Sequence, residues 1–485
     1  MGTGIFIASG SSIATAGPVG ALLAYIFVGT LVYSVMLSLA EMATYIPISG
    51  AFTRYAARFV DSSLGFSMGW IYWFSWSITF ALELTAAGLI IQWWDSSLSI
   101  GIFIAIFWVP ITAINFLPVD FFGEAEMWFS SLKVITLIGF WIFGICINAG
   151  ASPQGYIGFD YWKNPGAFNY YLTDASVGKF VGFWAVLISA GFAYQGTELV
   201  AIGAGESANP RKTMPQAIRR TFWSIFILFV FTIFFIGILV PSDNDALTLG
   251  DTNAGSSPLV IAVQLAGVKV LPDLINAVLL TAVLSAASSN VYSGSRVLIG
   301  LAEERCAPQI FKRTSKRGVP YVAVGFESLF GLLAFMNLSE NGGEVFNWFL
   351  NITSVAGFIA WACICICHVR FIQALRAQNI SRDTLPYKSW GGSYLAWYGF
   401  IFCTIIILTQ GFPAFVPWNT EDFFIAYISL ILFAVLYLGH KLITRSKFIN
   451  AAEADLVTGR WHEETSETWE EAPRSRWKKL ANSIF

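Results

Sequence analysis

The sequence predicts an all-α protein that crosses a membrane many times, and three observations carry that prediction. Hydrophobic residues make up 56% of the 485 residues and charged residues only 12%, whereas soluble domains carry about 25% charged residues. Apolar runs of about 20 residues, the length that a helix needs to cross a bilayer, recur along the chain. Gly and Pro residues separate these runs. The net charge of −2 gives no reason to expect nucleic acid as a partner.

Twelve apolar runs follow one another, and we predict eleven full spans and one half span. The half span is the first run, which opens with Gly2, Thr3 and Gly4. Pro47, Pro118 and other prolines mark the ends of runs, as expected for a residue that cannot continue a helix. The predicted spans cover residues 2–16, 21–43, 64–94, 101–116, 127–148, 180–203, 222–240, 272–301, 322–336, 345–367, 395–412 and 423–442.

Lys and Arg residues concentrate on alternate loops, which predicts that those loops are cytoplasmic. The clusters lie within 54–58, 211–220, 305–317, 370–388 and 441–447. The intervening loops hold few basic residues and many acids, including Glu344, Glu421 and Asp422. Loop 117–126, which has no Lys or Arg, is the exception. The pattern places the C-terminus in the cytoplasm. The polar segment 450–485 is either a short helix docked on the bundle or membrane or a partly disordered tail, and it offers a surface to cytoplasmic regulators.

Two of the runs are interrupted by glycine at membrane depth. One interruption is Gly2, Thr3 and Gly4 at the start of the chain, and the other is the stretch QGTE from Gln195 to Glu198. Lipid offers backbone groups no hydrogen bonds, so such breaks are tolerated only where they line a cavity. Paired interrupted spans indicate the binding site of a secondary transporter. The alternative for either break alone is close helix packing.

A zwitterionic substrate would use both breaks. Its carboxylate suits the free N–H groups of Gly2, Thr3 and Gly4, where a helix begins. Its ammonium suits carbonyl groups that are freed near Phe192 and Gln195. The sequence therefore predicts a small-molecule site between the two breaks, with membrane lipid around the bundle.

Three ionisable residues within apolar runs are functional candidates. Glu83 either pairs with a cationic substrate side chain or carries a coupling proton; the alternative is a protonated acid bonded to a neighbouring helix. Lys133 is either a titrating amine that replaces a coupling sodium ion or a side chain that extends to the interface. Glu198 is either a proton site or a hinge. Glu41, near a cytoplasmic helix end, is interpreted as a structural anchor.

The remaining polar residues indicate little enzymatic chemistry. Six cysteines lie mostly in apolar segments without partners of metal-binding spacing, so we predict buried thiols and no metal. The three histidines all lie near the cytoplasmic side, and no nucleophile–base pair is apparent. We therefore predict a protein that is not an enzyme, has no catalytic residue, and needs no cofactor beyond a proton as coupling ion.

Several stretches identify a family resemblance. GTGIFIASG, LAEMATYIPISGAFTRYAARFVD, FAYQGTELVAIGAGESANPRKTMPQAI, SAASSNVYSGSRVL and NITSVAGFIAW resemble the fungal amino acid permeases of the amino acid–polyamine–organocation superfamily. YWFSWSITFALEL, PVDFFGEAEMW and ISRDTLPYKS are most similar to the basic amino acid subgroup, the arginine, canavanine and lysine permeases. The resemblance runs from residue 1 to about residue 450.

The resemblance implies two inverted five-helix repeats plus two further helices. It divides the chain into a first repeat at 1–148 with an incomplete first span, an extracellular loop at 149–179, a second repeat at 180–368, spans eleven and twelve at 369–447, and a cytoplasmic tail at 448–485. It also implies proton-driven import of cationic amino acids by alternating access, at the plasma membrane or, alternatively, the vacuolar membrane. An obligate exchanger and a non-transporting sensor on the same fold remain alternatives.

The resemblance also assigns residues. Gly2, Thr3 and Gly4 match the carboxylate-binding loop, Phe192 matches the aromatic residue at the sixth-span break, and Glu83 matches the acid of the third span. Lys133 matches the lysine that stands where sodium-coupled relatives hold an ion. Ser75 and Thr353 match positions where arginine-type members have Ser and Thr, which favours arginine over lysine. The implied substrate-binding set is Gly2, Thr3, Gly4, Ser75, Glu83, Phe192, Gln195, Gly196, Thr197 and Thr353, and the implied proton-coupling set is Glu83, Lys133 and Glu198.

The sequence departs from the family at its start. Relatives carry a cytoplasmic tail and a half-helix before the Gly-Thr-Gly loop, and that half-helix supplies a carbonyl to the substrate ammonium. We expect that the gene model starts too late, rather than that the chain is a shortened product.

Overall fold

The computed structural model describes residues 2–48, 51–95, 97–206, 210–247, 257–338 and 342–460. Within those ranges the chain is helical, with no strand beyond an isolated bridge between Phe415 and Trp418. Ten of the described helices are long and apolar enough to cross a membrane, and an eleventh, Ile100–Asn115, is shorter but also apolar. The prediction of an all-α polytopic membrane protein is confirmed.

The helices follow the predicted order of spans. In the first half they are α1 Thr3–Phe6, α2 Ala8–Tyr45, α3 Ala51–Phe59, α4 Ser62–Ile91, α5 Ile100–Asn115 and α6 Val119–Cys146. In the second half they are α7 Val177–Tyr194, α8 Pro210–Leu239, α9 Pro258–Leu265, α10 Leu271–Glu303, α11 Tyr321–Phe330, α12 Gly342–Ala377, α13 Gly392–Thr409 and α14 Thr420–Thr444. A 3₁₀ segment, Gly331–Leu338, extends α11.

Helix α2 contains two predicted spans joined at a sharp turn. Gly17 adopts φ +76° and ψ 168° ahead of Pro18, which breaks the helical path. An outer loop is bonded across this turn: the Asn169 N–H donates to Ala16 O at 3.1 Å and the Val19 N–H donates to Ala167 O at 3.0 Å. A Cβ on Gly17 would lie 2.8 Å from the Asn169 nitrogen. Glycine is therefore required both by the backbone angle and by the loop's close approach.

Helices α4 and α12 lie at the centre of the bundle. In each, 89% of the apolar window is buried by protein, against 6% in α14. Helix α4 packs against α10 and α12, and α12 also packs against α13. Helix α12 continues to Ala377, ten residues past the predicted end of the span, because its last turns carry polar residues that suit the cytoplasmic interface. The buried position of α4 and α12 places polar groups on them inside the protein.

The break predicted within the sixth span is present in the structure. Helix α7 ends at Tyr194, and the Gln195 ψ of 141° turns the chain out of the helix. Gly196 follows at φ +91°, in the region that glycine adopts at no steric cost. The chain resumes as the 3₁₀ segment Thr197–Glu206. At the first predicted break, α1 begins at Thr3, and Ile7 interrupts helical geometry before α2.

On the predicted cytoplasmic side, an ion pair with a buried carboxylate holds the ends of the spans. Arg382 donates from Nε and Nη2 to the two carboxylate oxygens of Glu41 at 2.6 and 2.7 Å. Ser389 donates to the same carboxylate through its N–H and its hydroxyl. Hydrogen bonds to Glu41 raise the pKa of the Arg382 guanidinium, which keeps the guanidinium charged. The interpretation of Glu41 as a structural anchor is confirmed.

The start of the polar C-terminal segment docks on this same face. The Ile449 N–H donates to Val60 O at 2.9 Å, and Gln378 Nε2 donates to Ala454 O at 2.7 Å. Leu456 is buried. Docking is thus seen for residues up to 460, and the predictions for 461–485 lie outside the described residues.

Candidate functional site

A cavity of about 220 Å³ lies between the two helix breaks. The start of α1, α4, α6, the end of α7, α8 and α10 contribute to its wall. Most of the predicted site residues line it, and the full lining is Gly2, Gly4, Trp76, Thr79, Glu83, Glu126, Lys133, Phe192, Ala193, Gln195, Gly196, Thr197, Leu199, Ile225, Phe229, Ala286, Ser289 and Asn290. The fold thus brings the two breaks and two buried charges of opposite sign to one cavity.

Buried polar atoms without a protein partner line this cavity. The residues that both line the cavity and carry such an atom contribute Trp76 Nε1, Glu83 Oε2, Gln195 Oε1, Thr197 Oγ1 and Asn290 Nδ2. Leaving such a group unpaired in the protein interior costs about 1–3 kcal/mol. Acceptors and donors that converge on one cavity are therefore the groups that a polar ligand or water would satisfy, and this is the strongest sign of a binding site in the described chain.

Glu83 lies against the start of α1. It is only 3% exposed, and its Oε1 accepts from the Thr3 hydroxyl at 3.2 Å and from the Thr3 N–H at 3.5 Å. A Cβ on Gly2 would lie 2.6 Å from Glu83 Oε1, so a side chain at Gly2 would displace the carboxylate. The predicted carboxylate-binding loop and the predicted acid of the third span are therefore neighbours.

Ser75 and Thr353 stand behind Gln195 and do not line the cavity. Gln195 Nε2 donates to Ser75 Oγ at 2.5 Å, and Ser75 Oγ donates to Thr353 O at 3.3 Å. The Thr353 hydroxyl bonds within its own helix, to Leu350 O at 3.2 Å. These two residues contact the cavity only through Gln195, whereas Thr79, four residues after Ser75, lines it directly.

Glu198 faces away from the cavity. Its carboxylate accepts from the Tyr72 hydroxyl at 2.9 Å, from Trp361 Nε1 at 3.2 Å and from the Gly196 N–H at 3.3 Å. These bonds tie the 3₁₀ segment to α4 and α12. Of the two hypotheses for Glu198, this geometry favours the hinge.

Lys133 is buried beside the cavity. It is 3% exposed, and its Nζ donates to Ser285 Oγ at 2.9 Å and lies 3.5 Å from Glu126 Oε1. The side chain therefore points into the protein and does not extend to the interface. A cavity that holds both Glu83 and Lys133 has the components for an exchange of protons or charge with a bound solute.

Sequence reasoning missed three polar groups, of which Asn290 and Glu327 are buried and Glu126 is partly exposed. Glu126 and Asn290 line the cavity, and Glu327 lies in a buried cluster beside α4. Trp73 Nε1 and the Ser77 hydroxyl donate to Glu327 Oε2 at 2.6 and 2.9 Å. Glu327 falls within the predicted span 322–336, so the rule that flagged Glu83 also applies to it. Asn290 gave no such signal, because amides are common in helices that face protein.

A larger cavity of about 540 Å³ lies on the predicted outer side. Its wall includes the acids Glu344, Glu421 and Asp422, together with several amides and hydroxyls, and none of its lining residues is Lys or Arg. Carboxylates in a concave site raise the local concentration of cations. The approach from the outer side therefore favours a cationic solute.

Comparison with known proteins agrees with this architecture. The family described as amino acid permease matches residues 1–452. The chain is 45% identical to the lysine-specific permease of Saccharomyces cerevisiae over 483 residues, covering 99% of this chain and 79% of that protein. It is 44% identical to the basic amino-acid permease of the same organism over 485 residues, covering 99% and 85%. A lysine/arginine permease of Candida albicans is 46% identical over 440 residues, covering 90% and 77%.

The fold is also found among solved structures. A crystal structure of the Eremococcus coleocola manganese transporter superposes with a TM-score of 0.57 at 12% identity, covering 92% of this chain and 91% of that one. At this identity the likeness concerns the fold alone. The helical bundle with its breaks around a central cavity defines a membrane transporter. The chain belongs to the amino acid permease family, a family of transporters and not of enzymes.

Proposed function

We propose that this protein imports cationic L-amino acids, with arginine preferred over lysine, by proton symport through alternating access at the central cavity. The observation that carries the proposal is Glu83, a buried carboxylate with one oxygen on α1 and the other free in the cavity. The names of the relatives, which are permeases for lysine, arginine or basic amino acids, support the cationic substrate. The acidic outer cavity supports it independently.

The position of Glu83 links substrate binding to protonation. A substrate carboxylate at the N–H groups of Thr3 and Gly4 would lie beside the Glu83 carboxylate. Two negative charges in one buried site disfavour each other, so one of them is neutralised by a proton or by a cation. In the proposed cycle Glu83 takes up a proton as the substrate carboxylate arrives, or pairs with the cationic group of the substrate. Lys133, in the same cavity, balances the remaining charge.

The break after α7 supplies the moving element. Gln195 and Thr197 present free acceptor oxygens at the cavity, and they suit the substrate ammonium. Gly196 allows the backbone to change direction between them. Phe192, on the last turn of α7, lines the cavity and would cover the bound substrate. Closure of this segment over the solute is the step that alternating access requires.

The test is uptake by the purified full chain in liposomes. Radiolabelled arginine should accumulate when the outside is acidic, and a protonophore should abolish that accumulation. Excess unlabelled lysine should compete and excess leucine should not. Uptake that occurs only with substrate preloaded inside would identify an exchanger, and substrate binding without flux would identify a sensor.

We propose the plasma membrane as the location, because import from the medium is the activity that the site suits. Microscopy of a C-terminally tagged chain in fungal cells distinguishes this from the vacuolar membrane. A signal at the vacuolar membrane would contradict the proposal, provided that delivery of plasma-membrane proteins to the vacuole for degradation is blocked in the cells used.

A further inference from the structure

A chain of hydrogen bonds leads from the central cavity to Glu126. Lys133 Nζ donates to Ser285 Oγ at 2.9 Å, and Ser285 Oγ donates to Glu126 Oε2 at 2.5 Å. The other carboxylate oxygen, Glu126 Oε1, lies 3.5 Å from Lys133 Nζ. The hydroxyl of Ser285 thus stands between an amine and a carboxylate and is bonded to both. An acid and a base bridged by one hydroxyl can exchange a proton without either moving.

Glu126 borders two cavities. It lines the central cavity and also a second one, of about 180 Å³, between α5, α6 and α10. The second cavity is apolar except for Glu126, Ser285 and Ser288. The Glu126 side chain is 29% exposed, whereas that of Lys133 is 4% exposed. Glu126 is therefore the member of the pair that reaches outside the protein interior.

The polar groups continue towards the cytoplasmic face. Helix α10 runs from the predicted outer side to the inner side, so Ser288 lies almost one turn nearer the cytoplasm than Ser285. Asn115, at the inner end of α5, donates from Nδ2 to Ser288 Oγ at 3.1 Å and to Ser288 O at 3.3 Å. These groups form a polar seam along an otherwise apolar cavity, and the seam ends where loop 117–126 is predicted to be cytoplasmic.

We propose that Glu126 is the exit group for the coupling proton, which it takes from Lys133 through Ser285 and releases to cytoplasmic water. The proposal rests on the proposed proton symport. In the transfer, the Ser285 hydroxyl gives its proton to Glu126 Oε2 and receives one from the Lys133 ammonium. Lys133 becomes a neutral amine, Glu126 becomes a neutral acid, and Ser285 is unchanged. Glu126 then gives the proton to water and returns to a carboxylate.

The titratable and charged groups around Glu126 fit this role. From its own helix it faces Lys133, and across the central cavity α4 presents Glu83. Among the residues that line the second cavity, α5 presents apolar groups and α10 presents hydroxyls. Arg296, further along α10, stacks on Tyr292, which in turn stacks on Phe122 near the start of α6.

The experiment compares coupled uptake with exchange. The full chain is reconstituted in liposomes that contain a pH-sensitive dye. Acid-driven net uptake of labelled arginine and the accompanying proton influx are measured beside arginine–arginine exchange without a pH gradient. For Glu126→Gln the ratio of net uptake to exchange should fall at least about tenfold, because removal of a proton-transfer group typically costs that or more. The matched control is Glu124→Gln, an exposed acid two residues earlier that lines neither cavity, and its ratio should equal that of the unmodified chain.

Ser285→Ala is the second variant, in case Glu126→Gln does not fold. It removes the bridging hydroxyl, so the same ratio should fall, and Ser285→Thr should restore it. A Glu126→Gln or Ser285→Ala protein that takes up arginine with the unmodified proton influx would overturn the proposal. Arginine uptake by the unmodified chain without any proton influx would instead overturn proton symport, and this exit route with it.

Discussion

Glu83 is held at one oxygen and free at the other, and that asymmetry is the central chemical feature of the site. Thr3 fixes Oε1 from α1, so the position of the carboxylate depends on the first break. Oε2 has no protein partner, and Glu83 lines the cavity. A group held in this way can gain a proton or a cation without losing its place, which is what a coupling residue needs.

Glu83→Gln tests this role. The amide keeps the shape and accepts from Thr3, but it cannot be protonated or pair with a cation. We expect arginine uptake in whole cells to fall by about 100-fold or more while surface expression, measured by biotinylation, is retained. Normal proton-coupled arginine flux in the variant would show that Glu83 is neither a substrate-binding nor a coupling residue.

Ser75 and Thr353 offer a test of specificity. Ser75 positions Gln195, whose free Oε1 faces the cavity, and Thr353 supplies the carbonyl that Ser75 contacts. Changing Ser75→Asn together with Thr353→Ser should move Gln195 and shift the preference from arginine towards lysine. A change of one hydrogen bond, about 1 kcal/mol, corresponds to a shift of about five- to tenfold in the ratio. Competition between the two labelled substrates measures it, and an unchanged ratio refutes the assignment.

The charged residues of the site were predictable and their partners were not. A carboxylate or amine in an apolar run is costly, so Glu83 and Lys133 stand out in the sequence alone. Glu126 did not stand out, because an acid at a span end resembles an interfacial residue. The structure shows it beside Ser285, 159 positions away in the chain. Contacts of that kind are set by how α6 packs on α10, and no local pattern reports them.

At the scale of elements, glycine determines where the helices break. Gly196 and Gly17 both adopt positive φ, and each marks the end of a helical path. The sequence indicated the break at Gly196, because Gly beside polar residues is conspicuous in a membrane span, and it indicated the turn at Gly17 only as the boundary between two predicted spans. It left two roles open for Glu198, a proton site or a hinge, and the bonds of Glu198 to Tyr72 and Trp361 favour the hinge because they hold the segment after the break. Such a carboxylate resembles a proton site until its partners are known.

Gly196→Ala tests the break. At φ +91° an added Cβ is strained, and it would also lie 3.2 Å from the Trp76 ring. We expect a loss of about 1–2 kcal/mol in stability and a lower melting temperature in detergent, together with reduced uptake. Gly300→Ala is the matched control, because Gly300 lies within α10 and an added Cβ would meet nothing within 4 Å. Alanine should be neutral or stabilising there, by up to about 1 kcal/mol. Equal effects at both sites would contradict a special role for Gly196.

At the scale of the molecule, the predicted cytoplasmic face is a network of long-range bonds. Arg382 joins the end of α2 to the loop between α12 and α13. Lys441, on α14, pairs with Asp61, at the start of α4. The docked segment 448–460 adds bonds to Val60, Gln378 and Arg370. The order and number of spans were predictable from the sequence, but these connections link residues 76 or more positions apart and required the fold.

Arg382→Ala tests that network. It leaves the fully buried Glu41 carboxylate without its main partner, and removing one member of a buried ion pair costs about 3–5 kcal/mol. We expect a clearly lower melting temperature for the purified protein. Lys388→Ala is the control, because Lys388 and its partner Asp383 are both exposed and such pairs contribute about 0–1 kcal/mol. If Arg382→Ala lowered the melting temperature no more than Lys388→Ala does, the ion pair of Arg382 with Glu41 would not be what stabilises this face.

The outer loop that crosses the Gly17 turn has a practical consequence. Its bonds reach both arms of that turn, from Ala14 and Ala16 on one side to Val19 on the other. Any tilt of the hairpin must therefore carry the loop with it. Tyr170 follows the bonded loop residue Asn169 and is exposed, so it would move with the loop. A fluorescent reporter attached there would follow each opening and closing of the carrier from the medium, without disturbing the interior of the bundle.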